Sequence, residues 1–598
     1  MAITHVKGRT PVEVAPDQNL TTRLWERAAT STGREILRHW TNGSWRGLTW
    51  KQLGDRVAAV GAGLIAAGIE PGDRVALMSG TCLDWTIADL AILSVGGVTV
   101  PIYETSSVEQ CAWILSDSGA KLAFAQKAEH AKNLDEAREQ AKNLSEIFVF
   151  ADAGLDALAE RGDDAGRAQV LERAKKVKAA DLASIIYTSG TTGNPKGCML
   201  THHNLVWTAR QTEQNLRELF GGEESTLLFL PLAHVFARLI QFGCLESDVT
   251  LGYSRGIDQL QEDLVSFSPT FLLSVPRVFE KVFNGAQRKA EGPKRKVFDF
   301  AVQTAYAWSE AKNEGRNPGL GVNVKHAVAD KLVYSKLRDA LGGRVRYCVS
   351  GGAPLAPHLA HFFHAAGITI LEGYGLTETS APATANSPQA FKIGTVGQPL
   401  PGVEIKIAED GEILIKGGNV FTGYYKNDAA SSEVLEDDGW FHSGDIGELD
   451  DQGYLAITGR KKEIIVTAGG KNVAPAVLEE RIKANRLVSQ AMVVGDNRPF
   501  VACLITLEPE ELAAFAKEHG LSGTTVAQLK DDPAVLAEVQ KAIDHGNAAV
   551  SKAEAIRKFA ILERDFTIED DELTPSLKVR RKNVVDHFGE AIEGLYQK

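Results

Sequence analysis

Cysteine is scarce in this chain. Six residues in 598, Cys82, Cys111, Cys198, Cys244, Cys348 and Cys503, are scattered with no CxxC pair. That spacing gives neither a zinc site nor a disulfide framework. The six read as small buried hydrophobes of a reducing compartment. Long apolar runs are missing too. Glu70 closes the run from Val57 to Ile69, and Asp84 and Asp89 break the one after Cys82. Nothing approaches the roughly 18–20 apolar residues of a membrane-spanning helix. The opening MAITHVKGRTPVEV has no apolar core, so no signal peptide is expected and the cytoplasm is the expected location. Positive charge is short overall: 65 Lys and Arg stand against 77 Asp and Glu, for a net −12. A protein that coats nucleic acid would lean basic, so no nucleic-acid partner is expected. The balance reverses locally, because residues 281–346 hold fourteen basic and six acidic residues.

What remains is the composition of a large globular enzyme: 44% hydrophobic and 24% charged, with 56 Gly and 21 Pro. This length makes several compact units with real cores. The first 280 residues alternate helical and strand patterns. Leu53 to Ile69 reads as a helix ending at Gly68 and Pro71-Gly72, Arg74 to Met78 as a strand, Asp84 to Leu93 as a helix, and Val98 to Ile102 as a strand. The fold class is therefore α/β with largely parallel sheets. Residues 285–340 read as a helical, basic insertion, with helices at Val297–Lys312 and Lys325–Leu341. Strand signals resume at Val345–Val349. From 397 to 459, short strands between Gly turns (Glu404–Ala408, Glu412–Lys416, Gly453–Thr458) predict a small β subdomain. After a boundary near 459, residues 460–598 predict a compact α+β domain. It has a hairpin (Ala491–Val494 with Val501–Thr506) and a helix opened by Asp532-Pro533, whose face holds Leu536, Val539 and Ile543.

The densest chemistry is the segment Ile186-Tyr-Thr-Ser-Gly-Thr-Thr-Gly-Asn-Pro-Lys-Gly197. It packs backbone N–H groups, hydroxyls and one Lys within ten residues, which is what a phosphate chain needs. It is not a Walker A loop. The Gly spacing is too short, Gly197 follows Lys196, and Pro195 forbids a helix through the lysine. A lone Gly/Ser/Thr segment is usually a polar turn; this density is not.

The segment resembles the phosphate loop of the AMP-forming acyl-CoA synthetases, in the adenylate-forming superfamily. The other motifs follow in order: Pro231-Leu-Ala-His-Val-Phe-Ala-Arg238, Ser350-Gly-Gly-Ala-Pro354, Gly373-Tyr-Gly-Leu-Thr-Glu-Thr379, Trp440-Phe-His-Ser-Gly-Asp-Ile446, Gly459-Arg-Lys-Lys462 and Leu573-Thr-Pro-Ser-Leu-Lys-Val-Arg580. The match runs from about residue 50 to the end. It implies a large N-terminal domain of α/β subdomains plus the β subdomain (1–459) and a mobile α+β C-terminal domain (460–598).

The resemblance implies the following roles. Thr188, Ser189, Gly190, Thr191, Thr192, Gly193 and Lys196 hold the β- and γ-phosphates, with Glu378 and Thr188 as ligands of Mg²⁺. Gly352, Ala353, Pro354, Gly373, Tyr374 and Gly375 border the adenine, Asp445 accepts from the ribose, and Arg460 reaches the ribose side. Thr377 donates to the α-phosphate, Lys578 places its charge there, and His234 stands on the wall between acyl and nucleotide sites. Lys462 is the hinge, after which either Gly469 or Gly470 lines the path of CoA. By residue type alone, Lys578 would be a solvated charge, Glu378 an exposed acid and His234 a core histidine. The implied substrates are a fatty acid, ATP and CoA.

Val100-Pro-Ile-Tyr-Glu-Thr-Ser106, Ser274-Val-Pro-Arg-Val-Phe-Glu-Lys281, the helical insertion and Leu577 before Lys578 resemble the long-chain branch. Some bacterial members of that branch carry an aromatic gate near the position of Arg238, and an arginine cannot serve as that apolar plug. The alternative is a fatty acyl-AMP ligase that passes its product to a carrier protein. The basic insertion suggests peripheral contact with the inner face of a membrane. A homodimer is the expected assembly if the chain self-associates.

Overall fold

The computed structural model describes residues 3–31, 33–188, 194–290, 292–574 and 578–597. Among the described residues the strands form five sheets. A six-stranded sheet runs Glu146–Val149, Leu122–Ala125, Arg74–Met78, Val98–Ile102, Leu182–Thr188, Lys196–Thr201. Its strands are parallel except the last, which pairs antiparallel with Leu182–Thr188. A nine-stranded sheet has a parallel centre in which Thr369–Leu376, Tyr347–Ser350, Phe271–Ser274, Ser225–Leu228 and Thr250–Tyr253 lie side by side. Antiparallel strands close its two edges.

The helix Leu83–Ser94 lies against strands of both sheets. All its residues except Asp84 are buried, which is why its sequence is apolar all round instead of striped. The neighbouring helix Trp50–Ala66 opens on a capping box made by Thr49 and Gln52. That pair satisfies N–H groups the helix itself cannot.

The segment read as an insertion is the crossover between two paired strands of the nine-stranded sheet, Phe271–Ser274 and Tyr347–Ser350. Its helices Pro276–Arg288, Pro293–Asn313 and Leu320–Ala329, with Pro357–Ala365, pack a core onto the nine-stranded sheet, joining Phe279, Phe283, Phe298, Tyr334 and Phe362 to Leu272, Cys348 and Ile370 of its strands. The last helix starts five residues before the expected Lys325. It passes through a π-helical turn, Asp330–Tyr334, before Ser335–Ala340. Sequence periodicity places a helix there but not the change of winding, which moves the phase by one residue.

The β subdomain is a five-stranded antiparallel sheet ordered His5–Lys7, Glu404–Ile407, Glu412–Lys416, Phe441–Leu449, Leu455–Arg460. The N-terminal strand had no signal of its own, being three residues long and pinned by partners 397–401 positions away. The last strand begins at Leu455, not Gly453, since Gly453 turns at φ +81°. Beyond Arg460, the strands Val488–Val494, Val501–Leu507 and Ile556–Ile561 carry the helices of the C-terminal part. Pro533–Asn547 is capped by Asp532, as expected, but it buries Val535, Val539, Ala542 and Ile543. Leu536 is only half-buried.

Candidate functional site

Three bodies of structure meet at one cleft of about 630 Å³: the two large sheets, the β sheet, and the end of the C-terminal part. At one end, strand Thr369–Leu376 delivers Gly373, Tyr374 and Gly375, and the turn Thr377–Thr379 delivers Thr377 and Glu378. Gly375 is compelled here. A Cβ on it would stand 1.7 Å from the Ala381 carbonyl oxygen of the neighbouring strand. Gly352, at φ +83°, also borders the cleft. Ala353 is not among its lining residues, and Pro354 faces an adjoining crevice instead.

Strand Phe441–Leu449 brings Asp445 to the same end, 4% exposed. Its two oxygens are held separately. Tyr374 donates its hydroxyl to Oδ2 at 2.7 Å, and the Arg460 guanidinium forms an ion pair with Oδ1 at 3.1 Å. A carboxylate oxygen has two lone pairs, so each keeps an acceptor position. Burial first, and the Asp445 carboxylate second, keep the Tyr374 hydroxyl protonated well above its ordinary range.

Glu378 is fixed by a residue the sequence reading did not select. The Tyr424 hydroxyl donates to its Oε1 at 2.9 Å, and Phe421 N–H donates to its carbonyl at 2.8 Å. Lys196 places its ammonium 5.0 Å from the centre of the Tyr424 ring. Thr188 and Lys196 face each other in the register of the pair Leu182–Thr188 and Lys196–Thr201, and both line the cleft. Ser189, Gly190, Thr191, Thr192 and Gly193, which lie between them in the chain, are outside the described residues.

Lys578 also lines the cleft. Its N–H donates to Thr574 Oγ1 at 3.0 Å, and its carbonyl accepts from Thr574 N–H at 2.8 Å. Desolvation and, after it, the Arg460 guanidinium push its pKa below that of an ordinary lysine, against the opposing pull of Asp445, Glu378 and Glu463. His234 caps the helix Val235–Glu246 by accepting from Phe236 N–H at 3.2 Å on Nδ1. Burial, and then the Lys578 charge, push its pKa down to about 4. It is a neutral wall of the cleft at physiological pH.

Behind His234 the lining turns apolar. Ile114, Leu216, Val235, Phe236, Leu239, Ile240 and Val349 continue the same cleft. Arg238 is not among them. It is fully buried one helical turn away and locked to Asp89.

The turn Lys461–Glu463 leaves the β sheet directly after Arg460. Lys461 is tied by Glu412 at 2.9 Å and Asp410 at 2.6 Å. Glu412, also unselected from sequence, accepts from Gly444 N–H beside Asp445 at 2.9 Å. Lys462 itself is exposed and enters no ion pair among the described residues. Gly469 and Gly470 do not line the cleft. They form an exposed turn between Ile465–Val466 and Asn472–Val473, closed by Gly470 N–H on the Thr467 carbonyl at 2.8 Å. Lys578 and this turn are therefore not brought together.

Residues 24–425 match the family described as AMP-binding enzyme, and residues 462–598 match the AMP-binding enzyme C-terminal domain. The chain is 47% identical to the long-chain-fatty-acid–CoA ligase FadD15 of Mycobacterium bovis, over 98% of each chain. It is 32% identical to the long-chain-fatty-acid–CoA ligase ACSBG2 of Xenopus laevis, over 92% of this chain and 80% of the relative. Among solved structures it is similar to the anthranilate CoA ligase AuaEII in complex with anthranoyl-AMP, with TM-score 0.74 and 18% identity over 97% and 99% of the two chains. A Mycobacterium tuberculosis fatty acyl CoA synthetase gives TM-score 0.63 and 22% identity over 96% and 99%. At these identities the two structures bear on the fold alone.

Proposed function

This chain belongs to the AMP-binding enzymes, and from that premise we propose that it is a long-chain fatty acid–CoA ligase. It joins a fatty acid to ATP with release of pyrophosphate, then passes the acyl group to CoA and releases AMP. One observation carries the reading: a polar end holding Tyr374, Glu378, Asp445, Arg460 and Lys578 runs without a break into an apolar end walled by Leu216, Phe236, Leu239 and Ile240. The first end suits a nucleotide and the second an alkyl chain.

The chemistry asks little of a base. A fatty acid is already a carboxylate near neutral pH. Its oxygen attacks the α-phosphorus, the bond to the β-phosphate bridging oxygen breaks, and pyrophosphate leaves. The need is for alignment and for positive charge on the phosphates. In this reading the Tyr374 ring supports the adenine, and the free acceptor positions of Asp445 take the ribose hydroxyls. Thr377 and Lys578 face the α-phosphate, and Lys196 faces the outer phosphates. The donor set also fits Mg²⁺: the Glu378 carboxylate, oriented by Tyr424, and the Thr188 hydroxyl are hard oxygens in one cleft. That ion needs only one or two protein oxygens when phosphates and water complete its shell. Bound there, it supplies further neutralisation of phosphate charge. In the second step the CoA thiolate attacks the acyl carbonyl, the carbon–oxygen bond to AMP breaks, and the thioester forms.

The placement of Lys578 inside the cleft and of Gly469 and Gly470 outside it fits the arrangement for the first step. We take 1–459 as the body and 460–598 as the part that turns at Lys462 to exchange the two. Lys462→Pro fixes φ within the turn and restrains Lys461 before it. Its expected result is near-normal acyl-AMP formation with a far larger loss of acyl-CoA formation, read by separate assays of the two steps. Comparable losses in both would place the hinge elsewhere.

The direct test measures AMP and acyl-CoA with Mg-ATP, CoA and a ladder of saturated fatty acids. Turnover that requires CoA and peaks at long chains is the expected outcome. Acyl-AMP accumulating without thioester would instead identify a fatty acyl-AMP ligase.

A further inference from the structure

The positive excess of residues 281–346 separates into two kinds of charge. Five of its six arginines are held by carboxylates, as Arg338 is by Asp330 at 2.7 Å. Its eight lysines are all exposed, and none enters an ion pair among the described residues. The same stretch exposes apolar surface. Of the twelve large hydrophobic side chains exposed among the described residues, six fall between 297 and 332.

Four of the six form a line: Leu320 (88% exposed), Val324 (64%), Val328 (46%) and Leu332 (44%). A step of four residues drifts by about 40° on an α-helix. The π-helical turn Asp330–Tyr334 absorbs part of that drift, so Leu332 stays outside while Tyr334 stays inside. The inner face is firmly seated. The Tyr334 hydroxyl donates to the Ala301 carbonyl at 2.7 Å, and His326 stacks on Trp308 at 4.4 Å. Burial of the inner face leaves the outer line uncovered. Single exposed apolar residues are ordinary; a line of them on one helix edged by lysines is not.

We propose that the outer face of residues 320–336 docks on an anionic lipid bilayer. Leu320, Val324 and Val328 enter the boundary of the acyl region, and Lys325, Lys331 and Lys336 meet the lipid phosphates. An apolar stripe edged by lysines is the pattern of helices that lie in a membrane surface. Charge singles out the occupant. A chain of net −12 is repelled by an anionic surface unless it approaches through a positive face. Two copies related by a twofold axis would set these lysines against one another. Asp330, the one acid within residues 320–336, is already taken by Arg338. The surface alone supports the docking; the identity of the acyl substrate does not enter.

The test sediments the full-length protein with vesicles of equal parts phosphatidylglycerol and phosphatidylcholine, and with phosphatidylcholine alone, at low and high salt. Binding to the anionic vesicles that weakens with salt is expected. Leu320→Ser/Val324→Ser/Val328→Ser should weaken it at least about tenfold. Lys325→Gln/Lys331→Gln should weaken it about fivefold per lysine and serves as an independent variant should the serine protein fold poorly. Ile257→Ser/Val265→Ser, exposed elsewhere, should bind as the parent does. Acyl-AMP formation from a short, soluble acid should be unchanged in all three. Equal or negligible binding to both vesicle types overturns the proposal, as does anionic binding that survives the serine substitutions. A dimer that dissociates in the serine variant, without vesicle binding by the parent, would assign the face to a second copy.

Discussion

Lys578→Ala is expected to slow acyl-AMP formation by about 10²–10³-fold, the range for loss of a preorganised charge at a transition state. Conversion of supplied acyl-AMP to acyl-CoA should be nearly unchanged. The reason is the position of the side chain. Lys578 lines the nucleotide end of the cleft, and its electrostatic neighbours are Arg460, Asp445, Glu378 and Glu463. The Lys578 backbone is pinned to Thr574 by paired hydrogen bonds, which holds the residue at the cleft where phosphate charge develops. The pH dependence gives a second readout. With the pKa lowered by desolvation and then by Arg460, the cation is lost as pH rises, at a lower pH than the roughly 10.4 of a free lysine. kcat/KM for ATP, which reports the free enzyme, should therefore fall on the alkaline side. Lys578→Arg should remove that fall, because a guanidinium stays charged. Equal slowing of both half-reactions in Lys578→Ala, or an alkaline limb that survives in Lys578→Arg, would contradict the assignment.

Arg238→Leu is expected to destabilise the N-terminal body by about 3–5 kcal/mol, the cost of stranding one member of a buried ion pair. Arg238 and Asp89 are both fully buried. Arg238 Nε donates to Asp89 Oδ2 at 3.1 Å, Nη2 to Oδ1 at 2.5 Å, and Nη1 to Ser184 Oγ at 2.5 Å. Thr99 donates to the same carboxylate at 2.7 Å, and Ser184 donates to the Thr99 carbonyl at 2.7 Å. Thr99 and Ser184 are register partners on adjacent strands. The guanidinium also lies over Trp85 and Phe242, 5.6 and 5.5 Å from their ring centres. One arginine thus ties two helices to the sheet beneath them. Asp89→Leu/Arg238→Leu should recover a large part of the loss, because an apolar pair of similar volume is often no worse than a buried ion pair. Thermal or denaturant unfolding followed by tryptophan fluorescence reads the effect. Any folded variant should keep the parent's chain-length profile, since Arg238 does not line the cleft. A shifted profile at unchanged stability would mean that this position gates the acyl site after all.

The two cases show different legibility. Lys578 was named by its motif, yet its low pKa was not, because desolvation and the Arg460 charge come from groups more than a hundred residues away in sequence. Arg238 was legible only as a misfit to an apolar gate. Its partner Asp89 had been read as an interruption of an apolar run, and nothing in sequence spacing joins positions 149 apart. Tyr424 and Glu412 fall in the same class. Their roles come from contacts with Glu378 and Gly444, 46 and 32 positions distant, and neither sits in a dense motif.

By itself, the sequence determined what depends on neighbours along the chain. Periodicity and turn residues place the strands Arg74–Met78 and Val98–Ile102 and the helix capped by Asp532. Short motifs carry Tyr374, Thr377, Glu378, Asp445, Arg460 and Lys578, since a turn that must aim a given group admits few residue types. Tertiary structure decided what depends on distance through space. It recruited His5–Lys7 to a sheet far along the chain, and it made the basic stretch a crossover packed onto the nine-stranded sheet. It also silenced the arginines of that stretch while leaving its lysines and a line of valines and leucines outside. Burial, dielectric and ion pairing are properties of the packed neighbourhood, and long-range packing brings that neighbourhood together from segments whose order in the chain does not reveal it.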